Sequence, residues 1–309
     1  MTIRLVDLQV NGFRGFDFSS PELTGDQVIE VAEKLAEAGT TAFLATMITS
    51  PPEIYRRNLP ILAAATNHRQ LKGRLLGVHL EGPFLNPAEG ARGAHNPDWM
   101  IAGNVNRLVE LIELGGGTIR LLTIAADIDG AETLARVACE NHIAVSLGHH
   151  LADAEQIARL RAAGATAVTH LGNGLPRMID RHANPLWPAL ADDALTAMII
   201  TDGHHLPLDL IRVIVRAKTA RGIVVTSDSS PLAGMAPGRY RSLGNDCVLD
   251  PSGRLYNPAT GYLVGSSATM RQCMEHLSSL NILTKAELNT VGYLNPLSLI
   301  GIRPTEIEN

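Results

Sequence analysis

Ile143-Ala-Val-Ser-Leu147-Gly-His149-His150 reads as a short buried strand that ends in polar residues. Asp153–Ala163 then follows with helical spacing, Asp153 standing where a negative charge favours a helix N-terminus. Gly164 sits just past the helix end, as C-terminal caps prefer, and Ala165–Thr169 is a second strand, followed by His170. One complete strand–helix–strand unit therefore lies within residues 143–170. The same grammar extends in both directions. Strand-like runs rich in Val, Ile, Leu and Thr occupy Ile3–Val10, Thr40–Met47, Arg74–Leu80, Thr118–Ala125, Leu195–Ile200 and Gly222–Thr226. They show little strict alternation, as expected for strands covered on both faces. Thr24–Ala38 carries Val28, Val31, Ala32 and Leu35 on one helical face, and Ala131–Asn141 and Pro207–Thr219 are similar. Gly39 and Gly222 resemble Gly164 in standing past predicted helix ends.

Eight such units predict an α/β fold, a (β/α)8 TIM-type barrel spanning residues 1–309 as a single unit. An open doubly wound sheet is the alternative, weakened by the lack of a GxGxxG turn after the first strand. Residues 238–265 interrupt the pattern. Pro251-Ser-Gly253 between Asn245–Asp250 and Arg254–Tyr256 predicts a β-hairpin excursion after the eighth strand.

Composition agrees with a large globular core: 309 residues, 45% hydrophobic and 18% charged. The formal charge of −5 gives no electrostatic reason to expect a nucleic-acid or anionic-membrane partner. Neither a signal-peptide core nor an apolar run long enough to span a bilayer stands in the sequence, so a cytoplasmic setting is expected. Cys139, Cys247 and Cys273 form no CxxC pair, which favours a reducing compartment over a disulfide framework.

In barrels of this kind, reactive groups sit at the C-terminal ends of the strands. Here those ends read His79-Leu-Glu81, Gly148-His149-His150, Thr169-His170, Asp202-Gly-His204-His205 and Ser227-Asp228. One Glu and two His form a standard three-ligand set for a divalent cation, with a fourth position left for water. Glu81, His149 and His170 are the candidate ligands, and Asp228 the candidate acid/base. Taken singly, each has a bland reading. A strand-end histidine is more often a hydrogen-bonded structural residue, and Asp228 alone could cap a turn. The four together at one rim are harder to explain away. His79 shares a strand face with Glu81 and is a candidate partner to it. His150 and His204 read as neighbours rather than ligands.

Further segments make a family resemblance specific. Asp7-Leu-Gln-Val-Asn-Gly12, His79-Leu-Glu-Gly-Pro-Phe-Leu-Asn86, Gly93-Ala-His-Asn-Pro97, Gly148-His149 and Ala163 through Leu171 form an ordered series. Asp202-Gly-His-His205, Val225 through Asp228, Ala233-Gly234 and Gly265 through Met270 continue it over nearly the whole chain. The series resembles the amidohydrolase superfamily and, within it, the N-acetylglucosamine-6-phosphate deacetylase family.

The resemblance implies a metal-dependent hydrolase that removes the acetyl group from an N-acetyl amino sugar, with Glu81, His149 and His170 as metal ligands and Asp228 as catalytic acid/base. It further implies that His95 holds and polarises the acetyl carbonyl, and that Asn173, Gly174, Arg181 and His205 hold the sugar phosphate. A homodimer is implied in the same way. Gln9-Val-Asn11 replaces the His-x-His that binds a second metal in many amidohydrolases, so one metal is expected, Zn²⁺ first, with Fe²⁺, Mn²⁺ or Co²⁺ allowed by the ligand set.

Several departures bear on phosphate recognition rather than on the reaction. Gly172 and Gly174 replace a bulky residue and Ala, which predicts a looser loop. Arg181-His-Ala-Asn-Pro185 is one residue longer than its family counterpart, and the family's small β-sandwich is expected to be absent or reduced to the 238–265 excursion. Two rivals follow: the same chemistry on another N-acyl sugar, N-acyl amino acid or cyclic amide, and a non-catalytic barrel that binds a sugar or a partner.

Overall fold

The structure, a computed structural model, describes residues 4–307. In chain order its strands are β1 (Val6–Val10), β2 (Gly12–Phe13), β3 (Phe16–Asp17), β4 (Ala42–Ile48), β5 (Leu75–Glu81), β6 (Ile119–Ile124), β7 (Ala144–Leu147), β8 (Ala165–Val168), β9 (Thr196–Ile200) and β10 (Ile223–Thr226). After them come β11 (Gly238–Ser242), β12 (Asn245–Leu249) and β13 (Leu255–Tyr256). The helices are α1 (Gly25–Glu37), α2 (Pro52–Thr66), α3 (Val105–Leu114), α4 (Ala131–Glu140), α5 (Ala154–Ala162), α6 (Leu186–Ala191), α7 (Leu208–Lys218), α8 (Met270–Ser279), α9 (Lys285–Asn289) and α10 (Asn295–Leu299).

Eight strands pair in parallel in the order β1-β4-β5-β6-β7-β8-β9-β10, with helices between them, a (β/α)8 barrel. The first and last strands meet just above the sheet, where Val10 bridges Ser229 and the Asn11 amide donates to the Ser229 carbonyl at 2.8 Å. Asp7 reinforces this seam. Its buried carboxylate accepts from Thr226 Oγ1 at 2.7 Å, from the Ser227 amide at 3.1 Å and from the Ser227 hydroxyl. Asp7→Ala strands those donors in a dry interior, and we expect it to cost about 2–3 kcal/mol, read as a lowered denaturant midpoint at unchanged slope.

Local signals fix the helices. Thr24 with Gln27 and Asp153 with Gln156 form capping boxes at the starts of α1 and α5. Val28, Val31, Ala32 and Leu35 are all buried, so α1 buries the face its spacing predicts. At the end of α7 the expectation fails. The left-handed residue there is Thr219 (φ 53°), and Gly222 lies in a following 3-10 turn, Ala220–Gly222. α2 continues through Pro60, whose ring stands at the exposed surface.

Apolar side chains fill two zones. One lies between the strands and the surrounding helices. The other, with Val6, Leu8, Leu44, Leu121, Met198 and Val224, is closed from the C-terminal helices by Tyr293, Leu297 and Ile300. Residues 238–265, expected to form a hairpin, carry a three-stranded antiparallel sheet, β11-β12-β13. The Asp250 carboxylate takes the Ser252 amide at 2.8 Å in the β12–β13 turn. This sheet has its own apolar cluster, including Leu232, Cys247, Leu249, Leu255 and Val264. No helix among the described residues is long and apolar enough to cross a membrane.

Candidate metal centre

Along β5 the side chains of Val78 and Leu80 pack outward among the helices, so His79 and Glu81 share the opposite, inner face. Glu81 ends that strand. His149, His170 and Asp228 each follow the last residue of their strands, β7, β8 and β10, by two positions. All three hold left-handed backbone, with φ of 54°, 32° and 50°. For residues with a Cβ that conformation costs about 1–2 kcal/mol each. Strain of this kind concentrates where the surrounding structure holds a side chain for a task, and here it turns three polar side chains into the barrel mouth.

Glu81, His149 and His170 meet there. Glu81 Oε1 lies 3.2 Å from His149 Nε2 and 3.0 Å from His170 Nε2, and the two ring nitrogens are 3.0 Å apart. His149 Nδ1 donates to the Ala91 carbonyl at 2.8 Å, which leaves the Nε2 lone pair facing the other two groups. Lone pairs this close repel unless a cation or proton lies among them. His170 Nδ1 is buried with no hydrogen-bond partner among the described residues, so no carboxylate or carbonyl holds a proton on that side of the ring. The donor set therefore fits one divalent cation. Burial raises the Glu81 carboxyl, but the imidazoles of His149, His170 and His95 around it outweigh that and hold the group well below the usual carboxylate range.

His95 also approaches, with Nε2 3.8 Å from Glu81 Oε2, and Glu81, His95 and His149 form an alternative ligand group. The Thr49 hydroxyl donates to the Glu81 carbonyl at 3.4 Å and lies 3.0 Å from His95 Nδ1, so it ties the His95 ring to the end of β5. Burial and neighbouring His149 lower His95 to about 3, which keeps the ring neutral.

Asp228 closes the far side. Burial and the Glu81 charge push it up to about 8. The strand-one carboxamides turn out to hold the two carboxylates: Gln9 Nε2 donates to Glu81 Oε1 at 2.9 Å and Asn11 Nδ2 to Asp228 Oδ1 at 2.7 Å. His79 does not touch Glu81. Its ring bonds Thr123 Oγ1 at 2.8 Å, with Thr46 Oγ1 at 3.4 Å, and Thr123 continues to Thr169 at 2.7 Å. Burial lowers His79 to about 4, so it serves as a neutral link in a buried hydroxyl chain.

A cavity of about 220 Å³ opens above these groups, lined by Glu81, His95, His149, His170 and Asp228 together with Asn173, Gly174 and His205. Gly174 is not loose. At φ +63° a Cβ there would lie 3.0 Å from His149 Nδ1, so glycine lets the loop lie against the His149 ring. His205 donates to Asp202 at 2.8 Å. Burial raises the Asp202 carboxyl, but that hydrogen bond and the His205 charge override it and hold it below the usual range. His150 accepts from the Ala152 amide at 3.2 Å, and His204 lies 3.1 Å from the Ser252 carbonyl, neighbours both.

Arg181 is the candidate the structure does not bring in. It is exposed and outside the cavity lining. The Asp180 carboxylate caps the His182 and Ala183 amides, and the Trp187 indole donates to the Arg181 carbonyl at 2.8 Å, which folds this loop back on itself. Sequence reasoning also missed Thr49, a lone threonine past a strand end with no motif around it.

No protein-family model matches the chain. It is 32% identical over 308 residues to an N-acetylglucosamine-6-phosphate deacetylase of Danio rerio, covering 96% of this chain and 74% of that protein. It is 27% identical over 301 residues to an N-acetylgalactosamine-6-phosphate deacetylase of Escherichia coli O157:H7, covering 96% of this chain and 77% of that protein. A crystal structure of N-acetyl-D-glucosamine-6-phosphate deacetylase from Mycobacterium smegmatis superposes with a TM-score of 0.89 at 26% identity, over 97% of this chain and 78% of that one.

Proposed function

Because the chain belongs to the N-acetylglucosamine-6-phosphate deacetylase family, we propose that it is a metal-dependent amidohydrolase that removes the acetyl group from N-acetylglucosamine 6-phosphate. The observation that carries this reading is the mutual approach of Glu81 Oε1, His149 Nε2 and His170 Nε2 within 3.2 Å, at the mouth of a cavity that Asp228 also lines. Glu81, His149 and His170 would hold one divalent cation, Zn²⁺ by ligand preference, with Fe²⁺, Mn²⁺ and Co²⁺ compatible. When bound, such a cation supplies Lewis acidity that polarises the amide carbonyl and acidifies water.

The chain's own residues do the rest. Asp228, held by Asn11, would take the proton of the attacking water in its ionised form, which a cation offsetting the Glu81 charge favours, and return it to the departing amine nitrogen. His95, whose Nδ1 contacts Thr49, turns Nε2 toward the acetyl oxygen, where a proton on that nitrogen would meet the growing negative charge. Asn173, Gly174 and His205 line the wall against which the sugar is held. Homodimeric assembly and a reducing, cytoplasmic setting belong to the same proposal, the latter supported by three free thiols.

The test is amine release by purified protein from N-acetylglucosamine and N-acetylgalactosamine, each with and without a 6-phosphate. Preferred turnover of N-acetylglucosamine 6-phosphate supports the reading, and no amine from any of the four sinks it. A non-catalytic barrel is disfavoured by the donor set and Asp228 standing together.

A further inference from the structure

Three separate stretches of chain wall the reaction cavity above the candidate ligands. The loop after β5 brings Gly90 and Ala94, the strap after β8 brings Asn173, Gly174 and Leu175, and the 238–265 excursion brings Tyr262. None is a continuation of another, so the cavity keeps its shape only where side chains join them.

Each pair of stretches meets at one joint. Pro176 of the strap lies against Gly90, so closely that a Cβ on that glycine would stand 2.5 Å from Pro176 Cα. The Asn245 amide joins the excursion to the loop after β5. Its Nδ2 donates to the Ala94 carbonyl and to the Leu243 carbonyl, both at 2.8 Å, and its Oδ1 accepts from Asn257 at 3.2 Å. Arg177 makes the third joint, from the strap to the excursion. Its Nη2 donates to the Thr260 carbonyl at 2.8 Å, and its guanidinium carbon stands 5.5 Å from the centre of the Tyr262 ring.

The three joints differ in strength. The first is backbone packed on backbone, and the second is a half-buried amide with three partners. The third is an exposed arginine with one hydrogen bond, to an exposed residue, and one ring contact. Water competes for both of its contacts, so this joint opens first. It is also well placed to matter. The strap starts at His170, whose carbonyl accepts from the Asn173 amide at 2.9 Å and from Asn173 Nδ2 at 3.2 Å, and Gly174 lies on the His149 ring.

We propose that Arg177 is a positioning residue, the clasp that holds the strap after β8 against the Thr260–Tyr262 tip around a bound sugar and that opens to let the sugar pass. The deacetylase reading supplies the sugar; the clasp itself rests on the three joints. Arg177 acts through the wall and not on the substrate, so its loss should weaken binding of charged and uncharged sugars alike.

The experiment compares wild type, Arg177→Gln and Arg177→Lys. In Arg177→Gln, KM for N-acetylglucosamine 6-phosphate should rise about tenfold with kcat within about twofold, and kcat/KM for unphosphorylated N-acetylglucosamine should fall by the same factor. Lys keeps a cation for the ring and a donor for the Thr260 carbonyl, and should return KM to within about threefold of wild type. An unchanged KM, or a loss confined to the phosphorylated sugar, overturns the proposal. Chymotrypsin on the native proteins reads the clasp without turnover, because cleavage follows the population of the open form. Cleavage after Tyr262 should quicken about tenfold in Arg177→Gln, with cleavage after the partly exposed Trp99 unchanged. Equal rates at Tyr262 in wild type and Arg177→Gln, or a parallel rise at Trp99, overturn it. If wild type releases no amine from any sugar, the deacetylase reading fails, and the cleavage rates still decide the clasp.

Discussion

Asp228→Asn should lower kcat on N-acetylglucosamine 6-phosphate by about 10³-fold, some 4 kcal/mol of barrier, with the cation content of the protein unchanged. The substitution is chosen for the backbone. Asp228 sits at φ 50°, a conformation Asn tolerates far better than Ala, and the Asn side chain keeps an oxygen to accept from Asn11 Nδ2. The buried site therefore loses its proton acceptor without losing its shape. Full turnover by this variant would remove Asp228 from the reaction.

Glu81→Gln should have the larger effect. Gln keeps the volume but replaces a charged oxygen with a neutral one beside two imidazoles, in a group almost fully buried. Cation content should fall from one per chain to under about a tenth, and turnover by about 10⁴-fold or more. Elemental analysis and the amine assay, on protein whose circular dichroism matches wild type, separate lost ligation from lost folding. Retention of a full equivalent of metal would contradict the ligand assignment.

The strand-end residues were legible because a parallel barrel delivers every strand's C-terminal end to one rim. Glu81, His149, His170 and Asp228 needed only their positions relative to eight short apolar runs. Their left-handed backbone was not legible, since nothing in the sequence around His149 or Asp228 signals φ above zero. Gln9 and Asn11 were readable as the loss of a second metal site, but not as hydrogen-bond donors to Glu81 and Asp228, because those contacts cross 72 and 217 residues of chain.

Arg181 shows the opposite limit. Its type suits a phosphate contact, but Asp180 and Trp187 tie its loop outward through local hydrogen bonds that motif order does not encode. Helix α2 escaped for a simpler reason. Pro60 stands inside it, at an exposed position, and the helix runs through it.

The most direct test of the central claim is a crystal grown from protein purified without chelator, with anomalous diffraction collected across the absorption edges of Zn, Fe, Mn and Co. The account predicts one anomalous peak, bounded by Glu81, His149 and His170, with Asp228 facing it and His95 Nε2 outside the coordination shell. A peak coordinated by His95 in place of His170, or no peak between these side chains, would contradict it.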